Sequence, residues 1–169
     1  MVSERALIAL GSNVEPARHL PAAVAALRER APVERVSSAW ATAPVGPAGQ
    51  PPFLNAAVLL TTELPPERLR DELLHGIERE LGRVRSENRY APRTIDLDLA
   101  VYGGRRLRLG DREIPDPDLL REAFLAVPAA EVAPDWVHPV TGETLATIAA
   151  RLVAAVPEDR RPRKIALWV

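Results

Sequence analysis

Between Arg5 and Tyr102 the apolar pattern switches repeatedly between strand and helix periods, in the order β-α-β-β-α-β. Arg5–Leu10 is a short apolar run entering a turn at Gly11-Ser12-Asn13. Pro16–Ala31 carries Leu20, Val24 and Leu27 at helical spacing and stops at Pro32. Val33–Ala43 has the β-branched and aromatic content of a strand, and Phe53–Thr62 reads as its antiparallel neighbour. Pro65–Leu81 is the clearest helix, with Leu69, Leu73 and Ile77 on one face and Gly82 as its stop. Thr94–Tyr102 returns to strand alternation. This order is the signature of a ferredoxin-like α+β sandwich. The rest elaborates it: a turn-rich Gly103–Pro117 with a small hairpin, short helices near Leu119–Ala126 and Glu143–Ala155, and an edge strand Ile165–Val169. At 169 residues and 47% apolar content, the whole chain, 1–169, is expected to form one domain.

Composition removes several classes of function. With no cysteine there is no disulfide scaffold, thiolate metal site or cysteine nucleophile. Three scattered histidines argue against a multi-histidine zinc site. A net charge of -1 lacks the broad positive footprint of a duplex-DNA binder. No run reaches the ~18 apolar residues of a membrane span, and the N-terminus does not read as a signal peptide. The expectation is a cytoplasmic monomer without nucleic-acid or membrane partners.

The sharpest chemical signal is Asp96-Leu97-Asp98 inside a strand. Successive side chains alternate faces, so both carboxylates share one face and Ile95, Leu97 and Leu99 take the other. Two carboxylates so placed suit Mg²⁺, which takes oxygen ligands and borrows the rest from water and substrate phosphates. Immediately upstream, Arg83, Arg85, Arg89 and Arg93 stand against only Glu87. Guanidinium forks recognise phosphate oxygens, so arginines beside metal-binding carboxylates make the inventory of phosphoryl transfer. The chain has neither a P-loop nor a GxGxxG fingerprint, so a nucleotide would be held by these side chains rather than by a glycine cradle. Pro44–Pro52, too rich in Pro and Gly for helix or central strand, would form a wall near Asn55. The Asn55 amide could read the edge of a heterocycle, and Phe53 or Tyr90 could stack on its ring. His75 and Glu78, three apart on the second helix, could line the same site.

Ala9-Leu10-Gly11-Ser12-Asn13, Thr42-Ala43-Pro44-Val45-Gly46, Phe53-Leu54-Asn55-Ala56, Gly82-Arg83-Val84-Arg85 and Pro92-Arg93-Thr94-Ile95-Asp96-Leu97-Asp98 occur in an order that resembles the 6-hydroxymethyl-7,8-dihydropterin pyrophosphokinases of folate biosynthesis. The resemblance runs from about residue 5 to residue 135. It implies transfer of pyrophosphate from ATP to the pterin hydroxymethyl oxygen, releasing AMP. It also implies two Mg²⁺ ions at Asp96 and Asp98, with Arg83 and Arg93 completing the catalytic set. The implied pterin side is Thr42, Val45, Gly46, Phe53, Asn55, Tyr90 and Phe124. The implied ATP side is His75, Glu78, Arg85, Arg89, Leu99, Asp116 and Arg121. Loops at Pro44–Pro52 and Arg83–Pro92 would close over both substrates.

Three positions depart from the family pattern: Asp116 replaces a histidine, Glu122 an arginine (with Arg121 one place earlier), and Tyr90 a tryptophan. A second reading is therefore a weakened relative that binds pterin or nucleotide without efficient transfer. A third is a ferredoxin-like regulatory or nucleic-acid-binding domain, whose sheet should bear aromatic and basic residues rather than paired aspartates.

Overall fold

The computed structural model describes residues 2–42, 52–83 and 94–168. Strand β1 (Glu4–Ser12) leads into α1 (Pro16–Arg30), then β2 (Val33–Val36), β3 (Ala39–Thr42) and β4 (Phe53–Thr62). A continuous helical segment follows, made of α2 (Pro66–Arg68), a π-helical stretch Leu69–Leu74 and α3 (His75–Glu80). After β5 (Asp96–Tyr102) come the hairpin β6 (Leu107–Leu109) and β7 (Arg112–Ile114) and a 3-10 turn Pro117–Leu120. The helices α4 (Ala123–Val132) and α5 (Leu145–Ala155) and the strand β8 (Arg163–Ile165) complete the order.

The main sheet runs β5-β1-β4-β3-β8, with β2 also paired to β4, and every pairing is antiparallel. Taking β2 and β3 as one interrupted strand, this is the sheet order of the ferredoxin-like sandwich expected from the β-α-β-β-α-β pattern. Alternation along the strands decides which face each side chain serves. Ala6, Ile8 and Leu10 of β1, Val58 and Leu60 of β4, and Leu97 and Leu99 of β5 pack with Leu20, Leu27, Leu69, Leu74 and Ile77 of the α1 and α2–α3 layer. On the opposite face Leu7, Leu59 and Val101 pack with Leu125, Ala129, Leu145 and Ile148 of α4 and α5. Among the described residues that second helical layer packs over one end of its face. Beyond it, Ala9, Gly11, Asn55, Asp96 and Asp98 continue along the same face as Leu7 and Leu59.

Several boundaries differ from the sequence expectation. The strand expected over Val33–Ala43 is two short strands interrupted at Ser37-Ser38. There side chains take over the pairing: the Ala57 amide donates to Ser37 Oγ at 2.8 Å, and the Ser38 amide donates to Glu131 Oε2 at 2.8 Å. The helix expected near Leu119–Ala126 is the 3-10 turn followed by α4, which passes Pro128 and ends at Val132. The edge strand lies at Arg163–Ile165, on the edge as expected, but it begins two residues earlier and ends at Ile165. Among the described residues no helix is long and apolar enough to cross a membrane.

Candidate active site

At the end of this face that no described helix covers, β1 forms the floor of a trough. Gly11 pairs with Asn55 of β4 on one side and with Asp96 of β5 on the other, and Ala9 pairs with Asp98. At about 4.8 Å per strand spacing, Asn55 and Asp96 stand roughly 10 Å apart across a residue with no side chain. The opening depends on that absence: a Cβ on Gly11 would lie 3.2 Å from Asn55 Oδ1 and 3.9 Å from the Phe53 ring. One wall therefore carries an amide and an aromatic ring, and the other carries two carboxylates.

The amide wall is held by β3. Asn55 Nδ2 donates to Thr42 Oγ1 at 2.9 Å, which directs Oδ1 toward the glycine floor. Phe53 pairs with Thr42 and Trp40 with Asn55, so both rings continue the same wall. Thr42, Phe53 and Asn55 are pterin-side positions expected from sequence. Phe124 is half-buried near the start of α4, against the second core.

The carboxylate wall is organised from beneath. Glu78 of α3 is only 2% exposed, and its Oε2 accepts the Leu97 amide at 2.9 Å and Arg83 Nη1 at 2.7 Å. Arg83, whose side chain is 11% exposed, also donates from Nη1 to the Ile95 carbonyl at 3.3 Å and pairs with Asp96. Arg83 Nε is buried without a hydrogen-bond partner among the described residues, and so is Thr94 Oγ1, two residues before β5. Such atoms are costly unless a ligand completes them. Glu78 thus serves as the buried anchor for Arg83 and for the backbone between the two aspartates.

Asp98 is paired differently. Its Oδ1 lies 3.4 Å from Nη2 of Arg112, and the same nitrogen lies 3.5 Å from Oδ2 of Asp116. Burial, then the neighbouring charge of Asp96, push the Asp98 carboxyl up to about 7, and Arg112 pulls in the other direction. Asp116 is likewise raised, by burial first, although its Oδ1 accepts the Asp118 amide at 2.9 Å and caps the 3-10 turn. Glu122 is raised by burial and then by Asp118. Among the described residues, the Asp96, Asp98 and Asp116 carboxylates crowd one wall beside Arg83 and Arg112. Among the described residues no group of three or more His, Asp or Glu side chains gathers into a closed metal cage. Two half-buried carboxylates on one strand face instead fit a hard cation that shares its ligands with a substrate, as Mg²⁺ does.

Leu99 lies in the core on the face opposite the aspartates, so its side chain is not at the trough. His75 is half-buried, with Nδ1 3.9 Å from Asp71 Oδ1, while Glu78 one turn on is fully buried. Arg121 is exposed at the end of the 3-10 turn. Val45, Gly46, Arg85, Arg89, Tyr90 and Arg93, and nearly all of the two expected loops, lie outside the described residues. Arg112 is the residue that sequence reasoning missed. Its only local signal is the four-residue spacing to Asp116 inside a turn-rich stretch, and its approach to Asp98 depends on how the hairpin folds back.

A family model described as 7,8-dihydro-6-hydroxymethylpterin-pyrophosphokinase matches residues 7–134. A 2-amino-4-hydroxy-6-hydroxymethyldihydropteridine pyrophosphokinase of Synechocystis sp. is 42% identical over 143 residues, covering 83% of this chain and 72% of the relative. One from Pseudomonas aeruginosa is 42% identical over 136 residues, covering 78% and 82%. Among solved structures, wild-type Plasmodium falciparum HPPK-DHPS superposes with a TM-score of 0.69 over 99% of this chain at 11% identity. The chain spans about half of that structure, 47% of its length, and the likeness concerns the fold.

Proposed function

The chain belongs to the 7,8-dihydro-6-hydroxymethylpterin-pyrophosphokinase family, and from that membership we propose how its trough carries out pyrophosphoryl transfer from ATP to 6-hydroxymethyl-7,8-dihydropterin. The observation that carries the reading is the pairing of Gly11 with both Asn55 and Asp96. It sets a heterocycle-reading amide and a cation-binding carboxylate on facing walls of one cleft.

In the reaction the pterin hydroxymethyl oxygen attacks the β-phosphorus of ATP. The bond from that phosphorus to the α,β-bridging oxygen breaks, AMP leaves, and the hydroxyl proton passes to solvent. Asn55, fixed by Thr42, reads the pterin edge, and Phe53 and Phe124 supply apolar surface to the ring. Asp96 and Asp98 hold Mg²⁺, with two ions proposed. Bound there, Mg²⁺ supplies charge neutralisation for the polyphosphate in a reaction governed by positioning. Arg83 offers its unpartnered Nε to a phosphate oxygen while Glu78 keeps the guanidinium in place. Arg93, Arg85 and Arg89 are assigned to the polyphosphate, Tyr90, Val45 and Gly46 to the pterin, and His75, Asp116 and Arg121 to the nucleotide side. The reading extends to a single-domain cytoplasmic monomer acting on two small molecules, supported by a net charge of -1 that suits neither nucleic acid nor a membrane surface.

A second reading is a binding protein with weakened transfer, favoured by one observation: Asp116, beside Asp98, adds negative charge where a polyphosphate would lie. An AMP-release assay with 6-hydroxymethyl-7,8-dihydropterin, ATP and Mg²⁺ separates the two. Stoichiometric AMP and pterin diphosphate are expected; binding of both substrates without AMP would establish the second reading instead.

A further inference from the structure

The two arginines of the carboxylate wall are held in contrasting ways. Arg83 is buried and donates to Glu78 at 2.7 Å and to the Ile95 carbonyl as well as to Asp96. Arg112 is 54% exposed, and one nitrogen is split between Asp98 at 3.4 Å and Asp116 at 3.5 Å. Both separations exceed the roughly 2.7–2.9 Å of a well-formed charge-assisted hydrogen bond. Arg83 is built in; Arg112 rests on its partners. Its strand, β7, has only three residues and follows the Gly110 turn, whose φ of 62 places that glycine in the left-handed region.

Resting on the pyrophosphokinase reading above, we propose that Arg112 is a displaceable internal counter-ion. It neutralises Asp98 in the empty site. On loading it yields Asp98 to the incoming divalent cation and turns to the nucleotide phosphates, tethered by Asp116.

Charge balance supports the exchange. Asp96, Asp98 and Asp116 crowd one rim, where Arg83 is committed to Asp96 and Glu78. A divalent cation arriving with a polyphosphate brings both the positive charge that replaces Arg112 at Asp98 and the negative charge that gives it a new partner. Asp116 then has a use that its own charge does not suggest: it keeps a guanidinium within reach of the phosphates. An acidic residue that repels a polyphosphate alone becomes, with Arg112, a nearly neutral support for a cation.

The test is a split between two binding measurements on the full chain. Mn²⁺ alone, followed by electron paramagnetic resonance without nucleotide, should bind R112Q about threefold to fivefold more tightly than wild type, because the competing cation is gone. A non-hydrolysable ATP analogue with Mg²⁺ should bind R112Q about tenfold more weakly, because the variant has no charged donor for the phosphates. R112K, which keeps the charge, should retain most of the wild-type Mn²⁺ affinity. R112S carries the same expectation as R112Q should the latter fold poorly. A merely structural Arg112 would move both affinities the same way or neither, and unchanged or weakened Mn²⁺ binding in R112Q overturns the proposal. D98N is the control for the underlying reading. If D98N binds Mn²⁺ like wild type, the metal assignment fails; if it does not, and R112Q equals wild type, only the counter-ion role fails.

Discussion

The amide of Leu97 donates to Oε2 of Glu78 at 2.9 Å, fastening the backbone between the two aspartates to a buried carboxylate on the neighbouring helix. The same oxygen receives Arg83. One side chain thereby fixes the height of β5 and the position of a cation. Replacing Glu78 with Gln should destabilise the fold by about 3 kcal/mol, because Arg83 loses a buried ionic partner. Urea denaturation reads the loss, and AMP release should fall as well; full stability in E78Q would remove Glu78 from the role of anchor.

Gly11→Ala tests the trough floor. The added Cβ meets Asn55 Oδ1 at 3.2 Å, so the amide must shift by a few tenths of an ångström and loses its aim. KM for the pterin should rise about tenfold, the effect of one misaligned hydrogen bond, while KM for ATP stays within about twofold. Equal effects on both substrates would mean that the floor does not distinguish them.

Thr42→Val removes the acceptor that orients the Asn55 amide without changing the side-chain outline. Pterin affinity should fall about fivefold, in keeping with one net hydrogen bond. Calorimetry with the pterin alone measures it, and unchanged affinity would show that Asn55 needs no such support.

The acidic wall predicts a pH dependence. Asp98 titrates near 7 in the folded chain, far above an unfolded aspartate near 3.9. Between those values the folded chain binds the extra proton, so this contribution is fully present at low pH and is lost as pH rises through about 7. His138, lowered by burial, acts in the opposite sense, losing stability as pH falls below the ordinary histidine range. Melting curves of wild type and D98N therefore need to be subtracted. The difference should favour D98N increasingly from pH 5 to pH 8, and Mg²⁺ should raise the wild-type melting temperature more at pH 8 than at pH 5.5. A flat difference would mean that Asp98 is not charge-crowded.

Much of this was legible because it is local. The strand period alone put Asp96 and Asp98 on one face, and the helical period put Leu69, Leu73 and Ile77 on the core side of a helix. The order of elements implied the sheet order that the pairing of β1 with β4 and β5 displays. What escaped is long-range. The interruption of β2 and β3 depends on Glu131, 93 residues away from Ser38. Glu78 sits in a sequence position suited to an exposed helix face, and only the approach of Leu97 and Arg83 makes it a buried anchor. Arg112 meets Asp98 only after a hairpin folds back, which no spacing rule encodes.

The bare strand at the centre of the trough has a consequence for variation among such sites. The distance between the amide wall and the carboxylate wall is set by two backbone ladders, those joining Gly11 to Asn55 and Gly11 to Asp96. It is a fixed gauge, indifferent to the side chains at its rim. A side chain such as Asp116 can alter how charge is met along the edge, yet the span offered to the two substrates stays the same. Reactivity can drift at such a site while the identity of what fits is conserved by the sheet itself.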